Sequence, residues 1–233
     1  MKIQAILFMC NDFARAKFTL ENFSKWNPEI PIRVINSGGE SPKSFLKHIP
    51  NISFVDAENL WHKKTHCGVG SFDYRYYNYL FEYGLNDKFT HTLFLETDVL
   101  TNRKITIEPK YDISGPNNPC GHKENVLYNY LNITENMTRK KERRCRVHTG
   151  CGATMFSLNY FETIKRQDFG FFKDMFDKFP QNYFMDLIST LAARKNRLSF
   201  GHWEEVSNVP VHVVDGQIIN VDYSATLVHN FKI

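Results

Sequence analysis

The chain has 233 residues, enough for one substantial core, and 42% are hydrophobic against 23% charged, which excludes a disordered or fibrous protein. A formal net charge of +4 is too mild to imply nucleic acid by itself and suits a site that accepts a phosphorylated ligand. No apolar run approaches the ~20 residues that span a bilayer, so no membrane span is expected.

The N-terminal stretch MKIQAILFMCND has a short apolar run with no small-residue cleavage site after it, so residues 3–9 read as a buried strand. Asp12 is placed to cap a helix over 13–26, where Phe13, Ala16, Leu20 and Phe23 share one face. Residues 32–36 are a second strand. Ser41-Pro42 opens a short helix through Ile49, and 52–55 is a third strand. Ser71 is expected to cap a helix running to about Tyr83, with Gly84 as its stop, and HTLFLE, 91–96, is the fourth strand.

These strands are short, apolar and not alternating, so both faces should be covered. The fold class expected is α/β, a mainly parallel sheet with helices on each side and a mixed C-terminal half. Residues 1–233 are read as one domain in two halves, 1–100 and 101–233. In the second half, 111–114 is a strand, 117–146 a polar basic loop or insertion, and 152–157 a strand. Helices follow near 158–178 and 183–195. Asp215-Gly216 marks a hairpin within 211–221, and 225–229 is a last short strand.

The five cysteines, at 10, 67, 120, 145 and 151, are odd in number and irregular in spacing, which argues against a secreted disulfide framework. The expected setting is a reducing cytoplasm. Sequons at Asn51, Asn132 and Asn136 would matter only in a secretory chain. The 20 Phe, 11 Tyr and 3 Trp are largely core, although surface aromatics also suit flat ligands such as sugars and bases.

The fourth strand runs into Glu96 and Asp98. Side chains at i and i+2 lie on one side of an extended chain, so both acids would face one cavity. Two carboxylates that close repel unless a cation joins them, and their oxygens suit Mg²⁺ or Mn²⁺ bridging to a diphosphate. The bland alternative is a turn-forming Asp98 beside a solvated Glu96.

LFLETDVL, 93–100, resembles the D-x-D region of GT-A-fold glycosyltransferases, which move a sugar from a nucleoside diphosphate to an acceptor, and implies that 1–100 is the nucleotide-binding half and 101–233 the acceptor-side half. The resemblance covers most of the chain in element order but is specific only in short places. It departs at Glu96, where the first acid is Glu, so Asp98 is the safer ligand and Glu96 would assist. It implies that His229 in LVHNFK completes the metal site and that Lys232, three residues on, faces the diphosphate. It also implies that Asp186, opening a late helix, meets the acceptor hydroxyl, with Glu204 and Glu205 in reserve. Asp186 is otherwise a first-turn acid favouring the helix dipole. Gly150 and Gly152 would let a sugar approach the backbone, or form a plain turn. On the donor side, Asn11 and Asp12 would border the base and Arg75 the diphosphate, unless Arg75 pairs with Asp73 or Glu82.

The implied donor is a nucleoside-diphosphate sugar, UDP-linked by analogy, and the acceptor a glycan or glycoprotein. The compact form resembles the glycosyltransferase domains with which large algal DNA viruses decorate capsids, which would place it in host cytoplasm. Rival readings are a sugar-binding module without catalysis, a nucleotidyltransferase, and a zinc site from Cys120, His122, Cys145, His148 and Cys151. The run RKKERRCR, 139–146, reads as a solvated loop or a dock for an anionic acceptor rather than as a nucleic-acid site.

Overall fold

The computed structural model describes residues 1–62, 71–119, 125–132, 137–140, 143–150, 152–207, 211–214, 217–219, 225–229 and 231–232. Its centre is a seven-stranded sheet in the order Phe200–His202, Ile113–Gly115, Ala153–Ser157, His91–Leu95, Ile3–Met9, Ile32–Asn36, Ile52–Asp56. Every neighbouring pair is parallel except the two made by Ala153–Ser157, which runs against the rest. The mainly parallel sheet expected from the sequence is therefore the one observed.

Burial on both faces follows from the strand sequences. Ile3–Met9 is buried at all seven positions. Ile6 and Phe8 point into an aromatic-rich layer, while Ala5, Leu7 and Met9 point into an aliphatic one. Gln4 is tolerated there because its amide donates to Tyr83 O at 2.6 Å and Thr92 Oγ1 at 3.1 Å. Helices α1 (Phe13–Trp26) and α2 (Lys43–Leu46) belong with the aliphatic layer. Helices α3 (Tyr76–Gly84), α4 (Asn125–Tyr130), α5 (Leu158–Gln167), α6 (Phe171–Lys178) and α7 (Met185–Lys195) belong with the aromatic one.

Several elements depart from expectation. Ser71 does not open the helix: Ser71–Phe72 pairs antiparallel with Trp61–His62, and α3 begins only at Tyr76. The helix expected over 158–178 is two, α5 and α6, the second beginning after Gly170. The basic loop contains α4 and a hairpin in which Met137–Lys140 pairs with Arg143–Thr149. The 211–219 hairpin forms with Val214 opposite Gln217, its Asp215-Gly216 turn lying outside the described residues. Cys67, Cys120, His122 and Cys151 of the cysteine and zinc readings also lie outside them.

A three-stranded sheet at one end brings distant segments together in the order Val206–Ser207, Leu227–His229, Val99–Thr101. Its antiparallel register sets His229 opposite Val99, one residue past Asp98. This pairing carries the C-terminal histidine to the acids.

Candidate functional site

Glu96 and Asp98 follow the His91–Leu95 strand, and Asn11 and Asp12 follow Ile3–Met9, its neighbour in the sheet. The first strand has the second on one side and the fourth on the other, so chain order reverses there. A crevice at the carboxyl ends of such strands is the usual ligand site of an open α/β sheet. Here it is a cavity of about 630 Å³, large enough for a nucleotide-sized ligand.

The acids converge in a turn rather than an extended strand. Thr97, between them, is pinned to α1: its hydroxyl donates to Asp12 Oδ2 at 3.0 Å and its carbonyl accepts from Thr19 Oγ1 at 2.7 Å. With Thr97 tied to α1, Glu96 and Asp98 meet His229, whose Nε2 stands 3.2 Å from Glu96 Oε2 and 3.3 Å from Asp98 Oδ1. One ligand atom from each residue lies within 4.8 Å of the others. The His229 side chain is 4% exposed and that of Asp98 19%.

Two observations fit these residues to a divalent cation. Asp98 Oδ1 is buried and has no hydrogen-bond partner among the described residues, a costly state for a carboxylate unless a cation shares it. Two oxygens and an imidazole nitrogen are also ligands that Mn²⁺ and related ions accept.

Both glycines stand against the protein's own side chains. Gly152 has φ +74, and a Cβ there would lie 2.5 Å from Cβ and Cδ2 of His229. Gly150 has φ +138, and a Cβ there would lie 2.7 Å from Cβ of Asp186. The space beside Gly152 is thus taken by His229 and that beside Gly150 by Asp186.

Asp186 lines the cavity from the first turn of α7, its Oδ1 accepting the Leu187 N–H at 2.8 Å. Tyr77 steadies that turn by donating to Met185 O at 2.7 Å. Asp12 stands at the N-cap position of α1 but makes no capping bond; its carboxylate takes Thr97 and Arg15, the latter at 2.8 Å. Asn11 also lines the cavity.

Arg75 is a correction. Its guanidinium is held by Asp73, Nη2 to Oδ2 at 2.6 Å, and by Glu58 at 2.5 Å, and it does not line the cavity. The bond to Asp73, opposed by burial, raises its pKa above the usual arginine value. The arginine that does line the cavity is Arg15, missed in the sequence although it sits one turn into the helix that begins at the first strand's end. Glu204 and Glu205 are not at the cavity. Glu204 pairs with Lys110 at 3.0 Å, and buried Glu205 accepts the N–H groups of Thr106 at 2.7 Å and Ile107 at 2.6 Å together with the Thr226 hydroxyl. Lys232 pairs with His212 along the backbone, in parallel strands.

Comparison with solved structures gives the fold. Mouse xyloside xylosyltransferase 1, in its apo form, matches with a TM-score of 0.54 at 9% identity over 98% of this chain and 97% of its own. The galactosyltransferase LgtC, in complex with donor and acceptor sugar analogs, matches with 0.51 at 11% identity over 97% and 86%. The apo form of glycosyltransferase GlyE from Streptococcus pneumoniae TIGR4 matches with 0.53 at 9% identity over 100% and 55%, so this chain spans about half of GlyE's length. The arrangement is thus the GT-A type, a mostly parallel sheet flanked by helices. No protein-family model and no curated protein sequence matches the chain.

Proposed function

We propose that this chain is a metal-dependent glycosyltransferase that moves a sugar from a nucleoside-diphosphate donor to a glycan or glycoprotein. The observation that carries the reading is the meeting of Glu96, Asp98 and His229 beside a cavity at the sheet's switch point. The shared fold of the transferases above supports it.

In this reading Asp98 and His229, assisted by Glu96, hold Mn²⁺ or Mg²⁺. A cation bound there supplies a Lewis acid that stabilises negative charge on the departing diphosphate. Asn11 and Asp12 border the nucleotide, and Arg15 brings positive charge to the same end. Lys232 is kept as a diphosphate contact from the sequence resemblance. Asp186 faces the acceptor: the bond from sugar carbon to phosphate oxygen breaks, the acceptor oxygen takes the carbon, and its proton passes to the Asp186 carboxylate. Gly150 and Gly152 act indirectly, by seating Asp186 and His229.

The donor is taken to be UDP-linked, and residues 1–233 are taken as one working unit. A reducing cytoplasm, that of an algal host for a viral protein, is the proposed setting. No helix among the described residues is long and apolar enough to cross a membrane. Incubation with UDP- and GDP-linked hexoses and pentoses, with Mn²⁺ or with EDTA, tests the reading through diphosphate release. Release from one donor, stopped by EDTA, is expected; release from none, in either condition, would remove the function proposed.

A further inference from the structure

Helix α3 places a titratable group at the cavity that the proposed reaction has not used. Tyr76 is 1% exposed and lines the cavity wall, in the turn of helix where the sequence had pointed to Arg75. Its ring is fixed by other rings: Phe8 at 4.3 Å, Tyr77 at 5.0 Å, and Phe72 and Phe94 each at 5.8 Å. A ring packed in this way cannot swing out to solvent.

The Tyr76 hydroxyl makes no hydrogen bond among the described residues, whereas that of Tyr77, next to it, is engaged with Met185 O and with Ser189 Oγ at 3.0 Å. A buried phenol normally finds a partner. Five phenylalanines, at 8, 72, 94, 156 and 184, already form the cavity wall, so packing alone would be served as well by a sixth. Burial, followed by the negative charge of Glu96 and other neighbours including Asp186, pushes the Tyr76 phenol well above its usual pKa. It therefore stays protonated and able to donate at any physiological pH.

Exposure divides the cavity. Asn11, Arg15 and Trp61 of its lining are exposed, whereas Phe8, Tyr76, Phe94, Thr154, Phe156 and Ser189 are buried. Tyr76 packs on Phe94, two residues before Glu96, so with a diphosphate at the acids a sugar bound in the cavity meets the wall to which Tyr76 belongs. We propose that the Tyr76 hydroxyl hydrogen-bonds a hydroxyl of the sugar being transferred and so sets which donor the enzyme accepts. This rests on the nucleotide-sugar reading above.

Tyr76→Phe removes one oxygen and keeps the ring. Tyr183→Phe is the control, because the Tyr183 hydroxyl is buried without a partner among the described residues and Tyr183 does not line the cavity. Three quantities are measured on each: calorimetric affinity for UDP and GDP with Mn²⁺, kcat/KM on the preferred sugar nucleotide from the panel above, and melting temperature. Tyr76→Phe is expected to lower kcat/KM about tenfold, as loss of one such bond does, while diphosphate affinity and melting temperature hold. Tyr183→Phe is expected to change none of the three. An unchanged kcat/KM in Tyr76→Phe would overturn the assignment. So would a loss shared by diphosphate affinity and melting temperature, which would mean a packing role. A wild type that binds neither diphosphate removes the functional reading and this assignment together; a wild type that turns over, matched by Tyr76→Phe, removes this assignment alone.

Discussion

His229 rests on Gly152. The glycine holds φ +74, a conformation that side chains resist, and its missing Cβ is the space the imidazole occupies. Gly152 O also accepts the Glu96 N–H at 2.7 Å, so one residue fixes two members of the triad. Gly152→Ala should therefore cost about 1–3 kcal/mol in urea unfolding, from strain plus displacement of a buried ring. It should also weaken Mn²⁺ binding by at least about tenfold, as displaced support of a ligand does. A variant with wild-type Mn²⁺ affinity would show that His229 does not need this seat.

Asp186 faces the cavity from the first turn of α7, and the account gives it the acceptor proton. Asp186→Asn should keep calorimetric binding of UDP with Mn²⁺ while sugar transfer falls about 10²–10⁴-fold, the usual range for loss of a general base. A parallel loss of nucleotide binding would mean that the carboxylate serves the donor instead.

The two arginines should separate cleanly. Arg15→Ala should weaken diphosphate binding several-fold with little change in stability, because Arg15 is exposed and lines the cavity. Arg75→Ala should leave diphosphate binding unchanged and lower stability by about 1 kcal/mol, because its charge-assisted bonds to Asp73 and Glu58 join α3 to the segment after Ile52–Asp56. Equilibrium unfolding and titration calorimetry on the same two proteins read both effects.

Glu205 ties the Thr106 turn to the segment that leads into His229. Burial works against its charge, but hydrogen bonds from Thr226, Thr106 and Ile107 hold its carboxyl below the usual 4.5. A pKa depressed by folding means stability that is fully present above about pH 4.5 and lost as pH falls through the lower folded value. Glu205→Gln should cost about 2–4 kcal/mol at pH 7, with the gap from wild type narrowing below pH 4.5. A gap that stays constant with pH would show that the lost bonds do not depend on the charge.

Much of the first hundred residues was legible because their signals are local. Unbroken apolar runs such as IQAILFM read as buried parallel strands, and two acids one residue apart at a strand end read as a site. His229 was reached only through a resemblance, since the register that places it opposite Val99 joins segments far apart in the chain. The same non-locality hid the purpose of Gly150 and Gly152, whose neighbours Asp186 and His229 arrive from later elements. Arg75 was misplaced because Ser71–Phe72 joins a strand pair, so the helix starts late and turns Tyr76 toward the cavity. Glu205 looked like a spare acid because its partners, Thr106, Ile107 and Thr226, come from two other segments.

The central claim is that Glu96, Asp98 and His229 hold a cation that in turn binds a nucleoside diphosphate. Calorimetric titration of UDP and of GDP, each with Mn²⁺ and with EDTA, into wild type and Asp98→Ala tests it most directly. The account predicts that wild type binds one diphosphate with Mn²⁺ only, and that Asp98→Ala binds neither while keeping its cooperative unfolding. Equal binding in EDTA, or in a folded Asp98→Ala protein, would contradict it.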